Sequence, residues 1–151
     1  MSYQSISMNR SVGELRFQNA STAYGTWTKA GSETESWTLK AGGIFGPHVI
    51  IRESKAKDNL AVFRSNIRRV GWVEFSNKNK FHWKSTGFWR SEWGFSNVQD
   101  ELVFVVRLGP WYLMHAESVV EIGTQWRDLD ELPVLLMLGW YLSVQNFYAG
   151  W

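Results

Sequence analysis

The stretch from Leu132 to Val144 constrains the fold more than any other part of the chain. Over these 13 residues the only non-apolar members are Pro133, Gly139 and Ser143. Read at helical spacing, the stretch is apolar on every side, and such a helix has to be buried on every side. The flanking residues predict a helix over about 129–148. Asp128 or Asp130 can accept the free backbone N–H groups at its start. Asp130 and Glu131 sit where the helix dipole favours negative charge. Pro133 falls in the first turn, where its missing donor costs nothing.

Three surroundings can bury such a helix. A bilayer is one, but the run is 13 residues long and a span needs ~20. A partner protein is another, but it leaves the free chain with a large exposed apolar surface. The third is the chain's own sheet, closed into a barrel around the helix.

The rest of the sequence supplies that sheet. From Gly13 onward apolar and polar residues alternate in short segments, the signature of half-buried strands. Leu15 and Phe17 alternate with Glu14, Arg16 and Gln18. There follow Ala23–Lys29, Glu35–Lys40, Pro47–Glu53, Leu60–Ser65, Val70–Ser76, Phe81–Lys84, Phe88–Ser96, Glu101–Leu108, Trp111–His115 and Ala116–Ile122. Asn77-Lys78-Asn79-Lys80 reads as a turn, because Asn tolerates the left-handed conformation of tight turns. A barrel of about eleven or twelve strands is wide enough to hold a helix, whereas about eight hold only side chains. The fold class expected is therefore mostly β: a closed antiparallel β-barrel of about 11–12 strands around a hydrophobic C-terminal α-helix. It forms a single domain over 13–151, preceded by a flexible N-terminal arm, 1–12.

A meandering barrel threaded by a hydrophobic C-terminal helix resembles the Tubby C-terminal-like superfamily. That group includes Tubby domains, phospholipid scramblases and LURP-one-related proteins. The features that carry the resemblance are Val70–Ser76 turning into Phe81–Lys84, then Phe88–Phe95, then Glu101–Leu108, and Leu129–Val144 as the central helix. It extends over about residues 13–148 and looks closest to compact, LURP-one-like members. It is a likeness of architecture, not of a diagnostic motif. The resemblance implies phosphoinositide binding by Lys and Arg on neighbouring strands, as in Tubby domains, or action at membranes, as in scramblase-like members. No lipid-binding position of those proteins aligns residue by residue with this chain, so none is carried over.

Composition removes most chemistry. The 151 residues contain no Cys, which excludes disulfide scaffolds, thiolate metal sites and thiol nucleophiles. His48, His82 and His115 are far apart and lack metal-ligand spacing. His82, between Phe81 and Trp83, is expected to point outward from its strand. There is no G-x-S-x-G nucleophile elbow. Gly42-Gly43-Ile44-Phe45-Gly46 joins strand to strand and lacks the helix N-terminus of a phosphate cradle. Glu33/Glu35 read as a solvated strand edge and Asp128/Asp130/Glu131 as a helix cap. The chain is therefore expected to be no enzyme and to need no cofactor or metal. Residues 1–13 are polar, without the apolar core of a signal peptide. The expected localisation is cytoplasmic, with membrane association an extension of it.

What functional signal remains is electrostatic. Residues 1–90 hold 14 Lys/Arg and 6 Asp/Glu, a balance of +8, while residues 91–151 hold 2 and 8, a balance of −6. Such asymmetry marks either an anionic partner or two oppositely charged solvated faces. The basic stretch runs from Arg52 to Arg90. Within it Arg64, Arg68, Arg69, Lys78, Lys80 and Lys84 lie on a strand–turn–strand–turn–strand unit and are expected to converge at one end of the barrel. Trp72, Phe81, Trp83, Trp89 and Trp93 are interleaved with them. Cations with aromatics suit an anionic membrane surface, where each Lys or Arg adds about 1 kcal/mol and Trp settles at the interface. The expected function is thus a non-enzymatic module that binds anionic phospholipid or a membrane surface through these six residues. The alternatives are a protein-interaction or structural barrel, by self-association or with a partner through patches such as Trp111-Tyr112-Leu113, and a carbohydrate-binding barrel. Single-stranded nucleic acid suits the same residue mix but ranks below these.

Overall fold

A computed structural model describes residues 3–8, 11–19, 21–28, 33–42, 48–66, 69–86, 92–107 and 119–148. Eleven strands form one antiparallel sheet whose order follows the chain: β1 (Tyr3–Met8), β2 (Ser11–Phe17), β3 (Thr22–Thr28), β4 (Thr34–Gly42), β5 (His48–Glu53), β6 (Asn59–Ser65), β7 (Gly71–Phe75), β8 (Lys80–Ser85), β9 (Glu92–Ser96), β10 (Leu102–Arg107) and β11 (Val119–Ile122). One helical turn, Thr124–Trp126, precedes the C-terminal helix α1, Leu132–Tyr148. The chain is mostly β with one C-terminal helix, as its periodicity predicts. The closed ring is not seen. β1 pairs with β2 and β11 with β10, and among the described residues no ladder joins β1 to β11. The expected strand Trp111–His115 lies outside the described residues.

Residues 3–8 correct the expectation of an N-terminal arm. They pair with β2 in continuous register, from Tyr3↔Arg16 to Met8↔Ser11. Ser and Gln give this segment little apolar contrast, but a backbone ladder needs only N–H and C=O groups. The chain divides into two compact units. The first is Met1–Arg64 with Glu74–Asn79; the second is Ser65–Val73 with Lys80–Trp151.

In the first unit alternation decides the core. Leu15, Phe17, Ala23, Trp27, Trp37, Leu39, Val49, Ile51, Phe63 and Phe75 are buried, while Arg16, Tyr24 and Lys40 on the intervening positions are exposed. The register sets Trp27 opposite Gly13 and Trp37 opposite Gly25. Each indole thus faces a position with no side chain, and that leaves room for the ring.

In the second unit the core gathers on α1. Val134 through Gly139 are consecutively buried, more than a full turn, so every side of the helix is covered there. Trp83 on β8 is fully buried and stacks on Trp93 at 5.7 Å, with Phe95 at 4.8 Å. Phe104 on β10 continues the cluster, 5.7 Å from Phe95. Gly139 is where the helix comes closest to these rings. A Cβ placed there would lie 3.2 Å from Trp83 and 3.3 Å from Phe104. A mid-helix glycine costs about 1 kcal/mol in propensity; here that cost is offset by the close approach. Ser143 satisfies its buried hydroxyl by donating to the Gly139 carbonyl at 2.7 Å.

Two details of α1 depart from the sequence reading. The helix starts at Leu132, not 129, since Leu129–Glu131 form a tighter turn in which the Leu132 N–H donates to the Leu129 carbonyl. Asp128 and Asp130 are exposed and accept no hydrogen bond among the described residues. The residue just before the helix is the buried Glu131, whose carbonyl accepts the Leu135 N–H.

Candidate functional site

Of the six sequence-derived cations, Arg64 and Lys78 belong to the first unit and Arg69, Lys80 and Lys84 to the second. Arg68 lies outside the described residues. Arg69 is in the turn before β7 and Lys78 in the turn after it, so a strand separates them. Lys80 and Lys84 occupy β8, and Arg64 occupies β6.

Arg64 and Lys78 come together on the first unit. A cavity of about 260 Å³ opens there, lined by Arg64, Leu60 and Val62 of β6 and by Glu74, Ser76 and Lys78. Alternation explains the lining. On β6 Ala61 and Phe63 are buried, leaving Leu60, Val62 and Arg64 on the other face. The turn is tied to the strand, with the Ser76 N–H donating to the Leu60 carbonyl at 2.9 Å. It is closed by Phe75 N–H to the Asn79 carbonyl and Lys78 N–H to the Phe75 carbonyl, both 2.9 Å. The Asn77 side chain accepts the Asn79 N–H at 2.9 Å. Among the described residues no ion pair engages Arg64, Glu74 or Lys78. Two cations and one carboxylate are therefore available to a ligand. Glu74 escaped the sequence reading; the alternation of Gly71–Phe75, which places it on the face of Trp72, was the available signal.

Lys78 holds φ at 75°, the left-handed region that favours glycine. Arg69 and Asp100 do the same at φ 67° and 63°, at the same step of two turns with the same hydrogen bonds. A non-glycine residue there costs of order 1 kcal/mol or more. Lys78→Gly is expected to raise stability by about 0.5–1 kcal/mol, after the extra unfolded-state entropy of glycine is deducted. It removes the cation at the same time. Urea denaturation checks the stability change, and a loss of stability would show that the Lys78 side chain supports the fold.

A second group of candidates lies on the second unit. On β8 Phe81 and Trp83 are buried, while Lys80 is exposed and His82 and Lys84 are half-buried on the opposite face. Lys84 is committed elsewhere, bonded to Asp100 at 2.5 Å. That bond holds the Asp100 carboxyl below its ordinary range. His82 does not stand free on the strand. It stacks on Trp72 with centroids 4.4 Å apart and planes 10° from parallel, while Trp72 stays 43% exposed. Burial, then the Lys84 charge, lowers the His82 pKa, and Asp100 opposes them. His82 is therefore neutral at pH 7, and at that pH the row carries only Lys80 as an uncommitted cation.

Arg107 joins three strands of this unit, donating to Glu92 of β9 at 2.9 Å and to Glu121 of β11. Both carboxylates raise its pKa. These charges serve strand pairing. His115, Trp89, the Trp111-Tyr112-Leu113 patch and Gly43–Gly46 fall outside the described residues. Among the described residues no group of three His, Asp or Glu could hold a metal ion. Among the described residues no helix is long and apolar enough to cross a membrane. Comparison with family models, with curated proteins and with solved structures finds no match to this chain.

Proposed function

We propose that this chain is a non-enzymatic binding module of Tubby-like architecture and that it binds anionic phospholipid through the cavity between Arg64 and Lys78. The burial of α1 on every side supports the architectural part of this reading, with the helix as the core of its own unit. The observation that carries the binding reading is the pairing of two uncommitted cations on one cavity, when Lys84 and Arg107 are neutralised by carboxylates. The exposed face of Trp72 offers an indole of the sort that settles at a membrane interface.

Co-sedimentation with vesicles tests the reading. The protein is expected to pellet with acidic but not neutral vesicles and to be released by salt, which screens surface charges. Arg64→Glu with Lys78→Glu reverses two cations, each worth about 1 kcal/mol at such a surface. The double variant is expected to bind at least about tenfold more weakly. Pelleting that ignores both salt and the variant would refute the proposal. Val98, 60% exposed, and Leu102, 42% exposed, at the β9–β10 turn favour a second reading as a protein-interaction surface. That reading expects no vesicle binding and association that rises with concentration.

A further inference from the structure

The charges around the cavity form a pattern, not just a positive sum. Arg64 and Lys78 supply two cations, and Glu74 supplies one carboxylate, all three lining the same space. A ligand with anionic groups alone meets the two cations but brings negative charge against Glu74. A ligand with one phosphate and one ammonium, as in an ethanolamine headgroup, leaves a cation unmatched. The pattern is complemented by two anionic groups and one ammonium on a single compact frame. A cavity of about 260 Å³ is slightly smaller than the ~300 Å³ lower end of sites for drug-sized molecules. Its size is that of one headgroup.

We propose that this cavity takes a phosphoserine-type group, with its phosphate and carboxylate on Arg64 and Lys78 and its ammonium on Glu74. The inference rests on the phospholipid reading and deepens it, by making Glu74 the residue that selects among anionic headgroups. Asn59 and Ser76, on the same lining, add neutral hydrogen-bonding groups at its edge. The source of the group is a phosphatidylserine surface; a free diacidic amino acid or free phosphoserine carries the same chemistry and is separated by the test.

The test measures binding of the full chain to phosphatidylcholine vesicles that contain equal mole fractions of phosphatidylserine or of phosphatidylglycerol, which has the same net charge without the ammonium. The wild type is expected to prefer phosphatidylserine by about twofold to fivefold, the upper range of one partly exposed ion pair. Glu74→Gln is expected to erase that preference by lowering phosphatidylserine binding while phosphatidylglycerol binding holds or rises. A general loss of folding would lower both together, and circular dichroism of the variant identifies it; Glu74→Asp, which keeps the carboxylate, then serves as the test and must retain the preference. Equal binding to the two lipids, or a preference that survives Glu74→Gln, overturns the inference while leaving the phospholipid reading standing. Binding to neither vesicle overturns the phospholipid reading, and it overturns the inference as well when soluble phosphoserine and aspartate also fail to bind. Titration with soluble phosphoserine and with aspartate completes the set. Saturable binding of either without any vesicle binding supports the cavity chemistry and overturns the membrane source.

Discussion

Replacing Leu135 and Leu138 together by alanine is expected to remove about 4–10 kcal/mol of folding free energy. Both residues are fully buried. A buried Leu→Ala change costs about 2–5 kcal/mol, through lost transfer energy and the cavity left behind. A domain of this size has only about 5–15 kcal/mol in total. The two positions are three residues apart on one helical face, so their cavities can merge and the sum need not be additive. Each single variant is expected to stay folded with a clearly lower urea midpoint, and the double variant to lose near-ultraviolet circular dichroism. A double variant that unfolds within about 1 kcal/mol of the wild type would show that α1 is a docked tail and not the core of its unit.

The second large effect is expected at Gly94 on β9. A Cβ there would lie 2.5 Å from the carbonyl oxygen of Phe104 and 3.1 Å from both Leu102 and Thr86. Side chains can rotate away, but the Phe104 carbonyl belongs to the β10 backbone. That backbone is held in register by Gly94↔Val105 and Trp93↔Val106 on one side and Phe104↔Ile122 on the other. Gly94→Ala therefore has to push two strands apart beside the Trp83–Phe95–Phe104 cluster. Overpacking of this kind costs about 1–3 kcal/mol, with the larger values where backbone has to move. Gly42 is the internal control, since nothing lies within 4 Å of its Cβ position. Gly42→Ala is expected to stay within about 0.5 kcal/mol of the wild type. Thermal melts of the two variants side by side check the contrast. Equal melting temperatures would mean that β9 and β10 have slack that the geometry does not indicate.

How far the fold was legible depends on the kind of signal. The Leu132–Val144 run announced α1 because thirteen nearly unbroken apolar residues leave no polar face for solvent. Strands β3 to β8 were legible by alternation, and their bounds fall within a few residues of those expected. β10 was harder. Val103–Val106 are all buried, so the strand has no wet face to show, and a β-bulge at Leu102/Phe104 shifts its register. β1 was missed because its pairing rests on the backbone and not on apolar contrast. For the site, the sequence singled out cationic residues but not their partners. Lys84 looked as free as Lys78, and only the strand register brings Asp100, sixteen residues on, against it. Glu74 lay within the basic stretch and was outvoted by its neighbours, although it is the carboxylate that lines the cavity beside the two cations. Clustering and neutralisation are tertiary facts, and a linear charge count contains neither.

In the proposed function, charge position and not net charge makes the surface bind. This is tested most directly by comparing Arg64→Glu/Lys78→Glu with Lys40→Glu/Lys55→Glu on the same acidic vesicles. Lys40 and Lys55 are exposed and lie off the cavity lining, so the two double variants change the total charge equally. The cavity pair is expected to weaken binding at least about tenfold and the distant pair by no more than about threefold, the residue of long-range attraction screened at physiological salt. Equal losses in both would contradict the claim and reduce the basic half of the chain to a solvated face.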